Sequence, residues 1–275
     1  MTNNLLNFTI KTARKAGELI LKSRKKGLQI NEKGKNDLVT NMDKAAEKLI
    51  IKEIKSAFPS HSILAEESDF LNETTPEDYA KSKFIWLIDP IDGTTNFAHG
   101  LNEYAISIGL FKTAKSEHSK NFQYLSGELI MGVVFAPALN ELFYAKKGKG
   151  AYLNDKKIKI SNISKLKNSL LATGFPYNNR KRNLPYFSTM IDQSQAIRRL
   201  GAASLDLCYV AMGRFDGYWE FDLKPWDIAA GTLIVKEAGG KITDTNGNML
   251  DLFGKDILAT NGKIHQEMIK AFKKL

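Results

Sequence analysis

Five apolar residues in a row, Phe84-Ile85-Trp86-Leu87-Ile88, end abruptly in Asp89-Pro90-Ile91-Asp92-Gly93-Thr94-Thr95. A short aromatic and branched run of that kind reads as a buried strand, and the residue before a proline is held extended. Pro90 fixes the turn between two carboxylates, and Gly93 lets the backbone take an angle that other residues avoid. Both acids can then point to one spot at the end of the strand. Two carboxylates about 4 Å apart repel by roughly 4 kcal/mol at an effective dielectric of 20, so a convergent pair needs protons or cations. Mg²⁺, a hard ion that prefers oxygen ligands, suits such a place. Taken alone, Asp-Pro and Asp-Gly are also ordinary turn dipeptides.

Other acids stand at the edges of elements rather than along a solvated face. Glu66 and Glu67 follow the apolar pair Ile63-Leu64, and Asp227 follows Trp226 where a helical pattern begins. Each has a simpler reading, as a solvated strand exit or a first-turn acid that complements the helix dipole. Asp43 is the third residue after Thr40, in the pattern of a capping box. It is expected to cap a helix running to Phe58.

Along the chain, Leu5, Leu6, Phe8, Ile10, Ala13, Leu19 and Ile20 recur at roughly helical spacing and predict one amphipathic N-terminal helix. The polar stretch 31–37, with Gly34, reads as a mobile turn. Strands are expected at 104–111, 129–135 and 142–144, with a hairpin at 146–150. Strand and helix then alternate through 170–173, 202–212, 218–221 and 227–238. The expected organisation is one domain over 1–275, with packed lobes at approximately 1–145 and 146–275.

Composition excludes several classes. The chain has 275 residues, 43% of them hydrophobic, enough for a sizeable core. Its longest apolar stretches, such as 129–138, are far shorter than the roughly 20 residues of a membrane span, and Thr2-Asn3-Asn4 begins no secretory signal, so a cytoplasmic protein with no membrane partner is expected. A lone cysteine, Cys208, rules out an internal disulfide. Cys208 and Arg214 match the C-x₅-R spacing of cysteine-dependent phosphatases, but they belong to an apolar helical run where a thiol is inert. Gly148-Lys149-Gly150 lacks the rest of a P-loop. The net charge of +10 is spread over separate lysine clusters and reads mainly as solvated surface.

Ala65-Glu66-Glu67-Ser68, the stretch from Trp86 to Phe97, and Lys224-Pro225-Trp226-Asp227-Ile228-Ala229-Ala230-Gly231 together resemble the inositol monophosphatase family, with the texture of bacterial members. The resemblance extends from Asp37-Leu38-Val39-Thr40 through Gly201-Ala202-Ala203-Ser204-Leu205-Asp206 to Glu237-Ala238-Gly239-Gly240. It implies an α/β fold of the α+β kind, an αβαβα layered sandwich, usually homodimeric. It also implies a lithium-sensitive phosphomonoesterase using two to three Mg²⁺ ions per subunit.

Carried over residue by residue, the resemblance gives Glu66, Asp89 and the Ile91 carbonyl to a first ion. Asp89, Asp92 and Asp227 go to a second, and Glu66 to a weaker third. Glu67, Asp43 and Thr94 would position and deprotonate a metal-activated water for direct attack. Gly93 and Thr94 would cradle the phosphate through backbone amides. Ala203 and Glu220 would face the alcohol, and Lys35 would lie in a loop closing over the site. This agrees with the chemistry of a phosphate monoester dianion, which resists an anionic nucleophile until cations neutralise its charge.

Inositol 1-phosphate, or a related small sugar or polyol phosphate, is the expected substrate. Fructose 1,6-bisphosphate, histidinol phosphate and nucleotide phosphates such as AMP are alternatives. The competing reading is a binding protein acting in transcription or ribosomal RNA synthesis, a role associated with some bacterial relatives. Arg180, Lys181, Arg182, Arg198 and Arg199 would then be candidate contacts with nucleic acid or the transcription machinery.

Overall fold

The computed structural model describes residues 2–24, 30–34, 37–68, 79, 81–114, 126–177 and 179–275. Helix α1 (Thr2–Arg24) buries Ala13, Ala16 and Ile20 on the stripe that its apolar spacing predicts. Strands β1 (Ile30–Gly34) and β2 (Asp37–Thr40) pair antiparallel, so most of the polar stretch expected as a turn is strand. Lys35 lies outside the described residues. Helix α2 (Asn41–Ala57) starts at Thr40, whose hydroxyl accepts the Met42 N–H at 3.1 Å, while Asp43 Oδ2 accepts the Thr40 N–H at 2.8 Å. That reciprocal pair satisfies donors that a helix start leaves open.

A seven-stranded sheet follows in chain order: β3 (Ser62–Ala65), β4 (Phe84–Asp92), β5 (Ala105–Thr113), β6 (Gly127–Ala136), β7 (Glu141–Lys146), β8 (Ala151–Leu153) and β9 (Lys156–Lys157). The β3/β4 pair is parallel and the others are antiparallel. Between β4 and β5 lies the short helix α3 (Thr94–Ala98). The change of sheet comes after Lys157 rather than near residue 145, because β8 and β9 stay hydrogen-bonded to β7.

The second sheet takes the order β11-β10-β12-β14-β13 from β10 (Leu170–Thr173), β11 (Ala196–Arg198), β12 (Gly217–Phe221), β13 (Lys241–Thr243) and β14 (Asp256–Thr260). Its helices are α4 (Leu184–Gln193), α5 (Ala203–Ala211), α6 (Pro225–Glu237) and α7 (His265–Phe272). α4, α7, β9, β11, β13 and β14 lie outside the elements expected from the sequence.

Burial sets the layers. Every residue of α5 is buried, and α6 is buried from Pro225 to Val235 except at Asp227, as expected of helices covered on all sides. They lie between the sheets, where Val134 and Phe143 of the first sheet and Tyr218 and Ile257 of the second share one core with them. Helices α1 and α2 cover the other face of the first sheet. On the outer face of the second, Met190, Met268 and Phe272 pack with Trp219 and Leu258. The result is the αβαβα sandwich that the resemblance implied.

α6 comes so close to the first sheet that only glycine fits beneath it. A Cβ on Gly109 would stand 2.8 Å from the Ala229 Cβ, and one on Gly132 would stand 2.6 Å from the Ala230 carbonyl oxygen. Further along, the Glu237 carboxylate accepts the N–H groups of Gly148 and Gly150 at 2.7 and 2.8 Å. A helix lying between the sheets thus clasps a hairpin of the first sheet. Among the described residues no helix is long and apolar enough to cross a membrane.

Candidate active site

β4 pairs regularly with β5 until its register breaks between Asp89 and Asp92. Pro90 sits in that irregularity, where a strand tolerates a residue with no N–H. Gly93 then caps α3 at φ 89°, ψ 37°, the left-handed region, and a Cβ there would meet the Glu103 carbonyl oxygen at 2.9 Å. The strand end, the start of α3 and the start of α5 are tied together: Asn96 Nδ2 donates to the carbonyls of Glu103 (2.6 Å) and Leu200 (2.7 Å).

These ends surround a cavity of about 550 Å³. Glu66, Asp89, Ile91, Asp92 and Asp227 line it, with Gly93, Thr94, Ala203 and Glu220 further along the wall. Glu66 arrives at the exit of β3, held by its N–H to the Ile88 carbonyl at 3.1 Å. Asp227 arrives in the first turn of α6, where its Oδ2 accepts the Lys224 N–H at 2.7 Å.

The electrostatics follow from burial. Asp89 is pushed well above the usual carboxylate range by burial and then by the charges of Glu66, Asp92 and Asp227, and its carboxyl shares a hydrogen bond with Glu66 that requires a proton. Burial also raises Asp227 well above that range, and neighbouring Glu66 and Asp92 add to it. Asp92 is raised only to about 6: burial lifts it, while donors from Ser204 and Ala203 hold it down. The Ser204 N–H and hydroxyl both reach Asp92 Oδ2 at 2.6 Å, and the Ala203 N–H reaches Oδ1 at 3.1 Å. Asp92 therefore sits on the positive end of α5.

Four carboxylates and a carbonyl are hard oxygen donors without a thiol or imidazole among them, the chemistry that Mg²⁺ accepts. Among the described residues no three Asp, Glu, His or Cys side chains stand in an arrangement that could hold a metal ion as they are oriented here, so the fit rests on the chemistry of the donors. The raised proton affinities of Asp89, Asp92 and Asp227 express the same demand for positive charge that a divalent cation would meet. The donor set fits the ion.

Asp43 combines its two expected placements. Besides capping α2, its Oδ1 stands 2.8 Å from the Thr94 hydroxyl, which also lies 2.9 Å from the Ile91 carbonyl. Asp43 is fully buried, and burial raises its pKa against the hydrogen bonds that lower it. Glu67 is not brought into the cavity. It lines a separate depression beside α2 with Lys44, Glu47 and Ser68, and its N–H donates to Glu47 Oε2 at 2.7 Å. The Ala203 amide, expected to face the alcohol, is occupied by Asp92.

Sequence reasoning missed part of the wall: Phe175, Pro176 and Tyr177 from the segment after β10, and Trp226 beside Asp227. Their position just past a strand end was the available signal, since sites on such folds gather there. Arg199, expected as a surface contact, lines the cavity beside Glu220. The C-x₅-R lookalike is structural. Cys208 is fully buried with its thiol pushed up by burial, and Arg214 is paired with Glu141.

A five-layered α/β sandwich thus carries an acid-lined cavity at the end of a strand and the start of a helix. The chain belongs to the inositol monophosphatase family, whose sequence profile matches residues 1–275. It is 40% identical over 272 residues to the Nus factor SuhB of Pseudomonas aeruginosa, covering 96% of this chain and 94% of that protein. The chloroplastic phosphatase IMPL1 of Arabidopsis thaliana is 36% identical over 270 residues, 97% of this chain and 69% of that protein. Among solved structures, the IMPase of Thermotoga maritima superposes with a TM-score of 0.83 at 36% identity, over 98% of this chain and 97% of that one.

Proposed function

We propose that this chain is a Mg²⁺-dependent phosphomonoesterase that hydrolyses inositol 1-phosphate or a related small polyol or sugar phosphate to the alcohol and inorganic phosphate. The observation that carries the reading is the convergence of Glu66, Asp89, Asp92 and Asp227 on one cavity beside Gly93 and Thr94. Glu66, Asp89 and the Ile91 carbonyl would hold one ion, and Asp89, Asp92 and Asp227 a second, with Glu66 available to a weaker third. Bound there, Mg²⁺ supplies positive charge to the phosphate oxygens and the leaving alkoxide and lowers the pKa of water.

The chain's own groups do the rest. Gly93 and Thr94 open α3, and their N–H groups face the phosphate. Asp43 and Thr94, already hydrogen-bonded at 2.8 Å, orient the attacking water and receive its proton. Glu67, which lines the neighbouring depression, would have to turn into the cavity to join them. Glu220 takes hydroxyls of the alcohol, and Ala203 shapes the wall beside it. The protein works as a cytoplasmic homodimer.

The test is phosphate release from a panel of monoesters by wild type and Asp92→Asn, with Mg²⁺ titrated and Li⁺ then added. Mg²⁺-dependent, Li⁺-inhibited release that falls by more than about a hundredfold in the variant supports the reading. No turnover by the folded wild type overturns it.

A second reading, binding in the transcription machinery, is favoured by the 40% identity to a protein named a Nus factor. Of its candidate contacts, Arg182 is engaged with Asp222 and stacked on Phe221, while Arg180, Lys181, Arg198 and Arg199 are exposed, Arg199 at the cavity wall. Such binding should weaken steeply with salt and survive Asp92→Asn.

A further inference from the structure

Residues two apart on a strand share a face. On β12, Tyr218 and Glu220 turn toward the middle layer, while Trp219 and Phe221 turn to the outer core. The Tyr218 hydroxyl, fully buried, donates to Glu220 Oε2 at 2.5 Å. Across from it, Gly174 follows β10, the parallel neighbour of β12. A Cβ on Gly174 would stand 2.0 Å from Glu220 Oε1 and 2.2 Å from its Cδ. Gly174 is not among the glycines with positive φ, so space rather than backbone conformation requires glycine there. The carboxylate occupies the volume that any side chain at 174 would take.

We propose that Tyr218 and Gly174 form a socket that fixes the Glu220 carboxylate in the cavity wall, and that this socket selects alcohols carrying neighbouring hydroxyl groups. The inference rests on the reading of Glu220 as the residue that meets the alcohol. A carboxylate held by a buried phenol and flanked by bare backbone has little rotamer freedom to lose when substrate binds. Its free lone pairs accept hydrogen bonds from two adjacent hydroxyls, and it offers nothing to a leaving group that has none. Tyr218 and Gly174 are positioning residues, since neither lines the cavity.

The experiment compares inositol 1-phosphate with p-nitrophenyl phosphate, whose leaving group has no neighbouring hydroxyls. Tyr218→Phe, nearly isosteric, should raise KM for inositol 1-phosphate about tenfold, with kcat and the hydrolysis of p-nitrophenyl phosphate changed by less than about twofold. Gly174→Ala, which fills the socket, should raise that KM further. In a Glu220→Gln background, Tyr218→Phe should add less than about twofold, because the two residues then act through one group.

Equal losses on both substrates, an unchanged KM for inositol 1-phosphate, or a full additional effect in the Glu220→Gln background would overturn the socket. If Gly174→Ala does not fold, the Tyr218→Phe pair carries the decision. Wild type that cleaves p-nitrophenyl phosphate but not inositol 1-phosphate overturns the socket and leaves the phosphatase reading standing. Wild type that cleaves neither overturns the reading beneath it.

Discussion

Asp43 serves two partners, and two variants separate them. Its Oδ2 accepts from Thr40 and its Oδ1 from Thr94. Thr40→Ala removes only the capping hydroxyl and should cost about 1 kcal/mol of stability by chemical denaturation, with kcat near wild type. Asp43→Asn keeps the shape but removes the charge beside Thr94, and should lower kcat by at least about tenfold. Equal kcat in the two variants would mean that Asp43 is a cap and nothing more. The sequence placed Asp43 correctly as a cap because that pairing is local, three residues apart. The Thr94 contact spans 51 positions and exists only because α2 and α3 meet at the end of β4.

Elements are held to one another at points where little can change. α6 rests on Gly109 and Gly132, and a methyl group at 132 would press on helix backbone rather than on a flexible side chain. Gly132→Ala should therefore destabilise the fold by about 1–3 kcal/mol, read from the denaturation midpoint at unchanged slope. At the other end of the sandwich, His265 of α7 lies between the hydroxyls of Thr243 (3.0 Å) and Thr260 (2.8 Å), joining the helix to β13 and β14.

Burial, with Lys241 nearby, lowers the His265 pKa from 6.5 to about 4. Between those values the unfolded chain binds a proton that the folded chain refuses. Its contribution is thus complete above pH 6.5 and is lost as pH falls toward 4, by up to about 3 kcal/mol. His265→Gln should flatten that part of the Tm-against-pH curve; an unchanged slope would show that other groups set it.

At the scale of the whole molecule, the site is a junction. Glu66 comes from the exit of β3, Asp89 and Asp92 from the end of β4, and Asp227 from α6, and all are brought to one cavity by the stacking of the layers. A cation that binds the folded chain alone stabilises all of it. At about a hundred times its dissociation constant, Mg²⁺ should add about 2.7 kcal/mol, raising Tm by roughly 5 °C or more. Asp89→Asn should abolish most of that rise, since Asp89 is the one carboxylate proposed as a ligand to both of the first two ions. A wild-type Tm indifferent to Mg²⁺ would argue against the proposed ligand set without any assay of turnover.

What the sequence determined by itself was whatever short-range physics encodes. The apolar run before Asp89 made a strand, Thr40 with Asp43 made a helix start, and the mostly apolar 203–211 and 228–235 made helices. The acids gathered in the cavity were legible because each sits at such a boundary. Tertiary structure alone decided which way side chains face and what lies behind them. It turned Glu67 to a different depression from its neighbour Glu66, gave the Ala203 amide to Asp92, and placed Arg199 beside Glu220. It also kept β8 and β9 in the first sheet and set Tyr218 and Gly174 around Glu220. Those outcomes depend on close approach between segments distant in the chain, where available space and burial select one arrangement that no local pattern records.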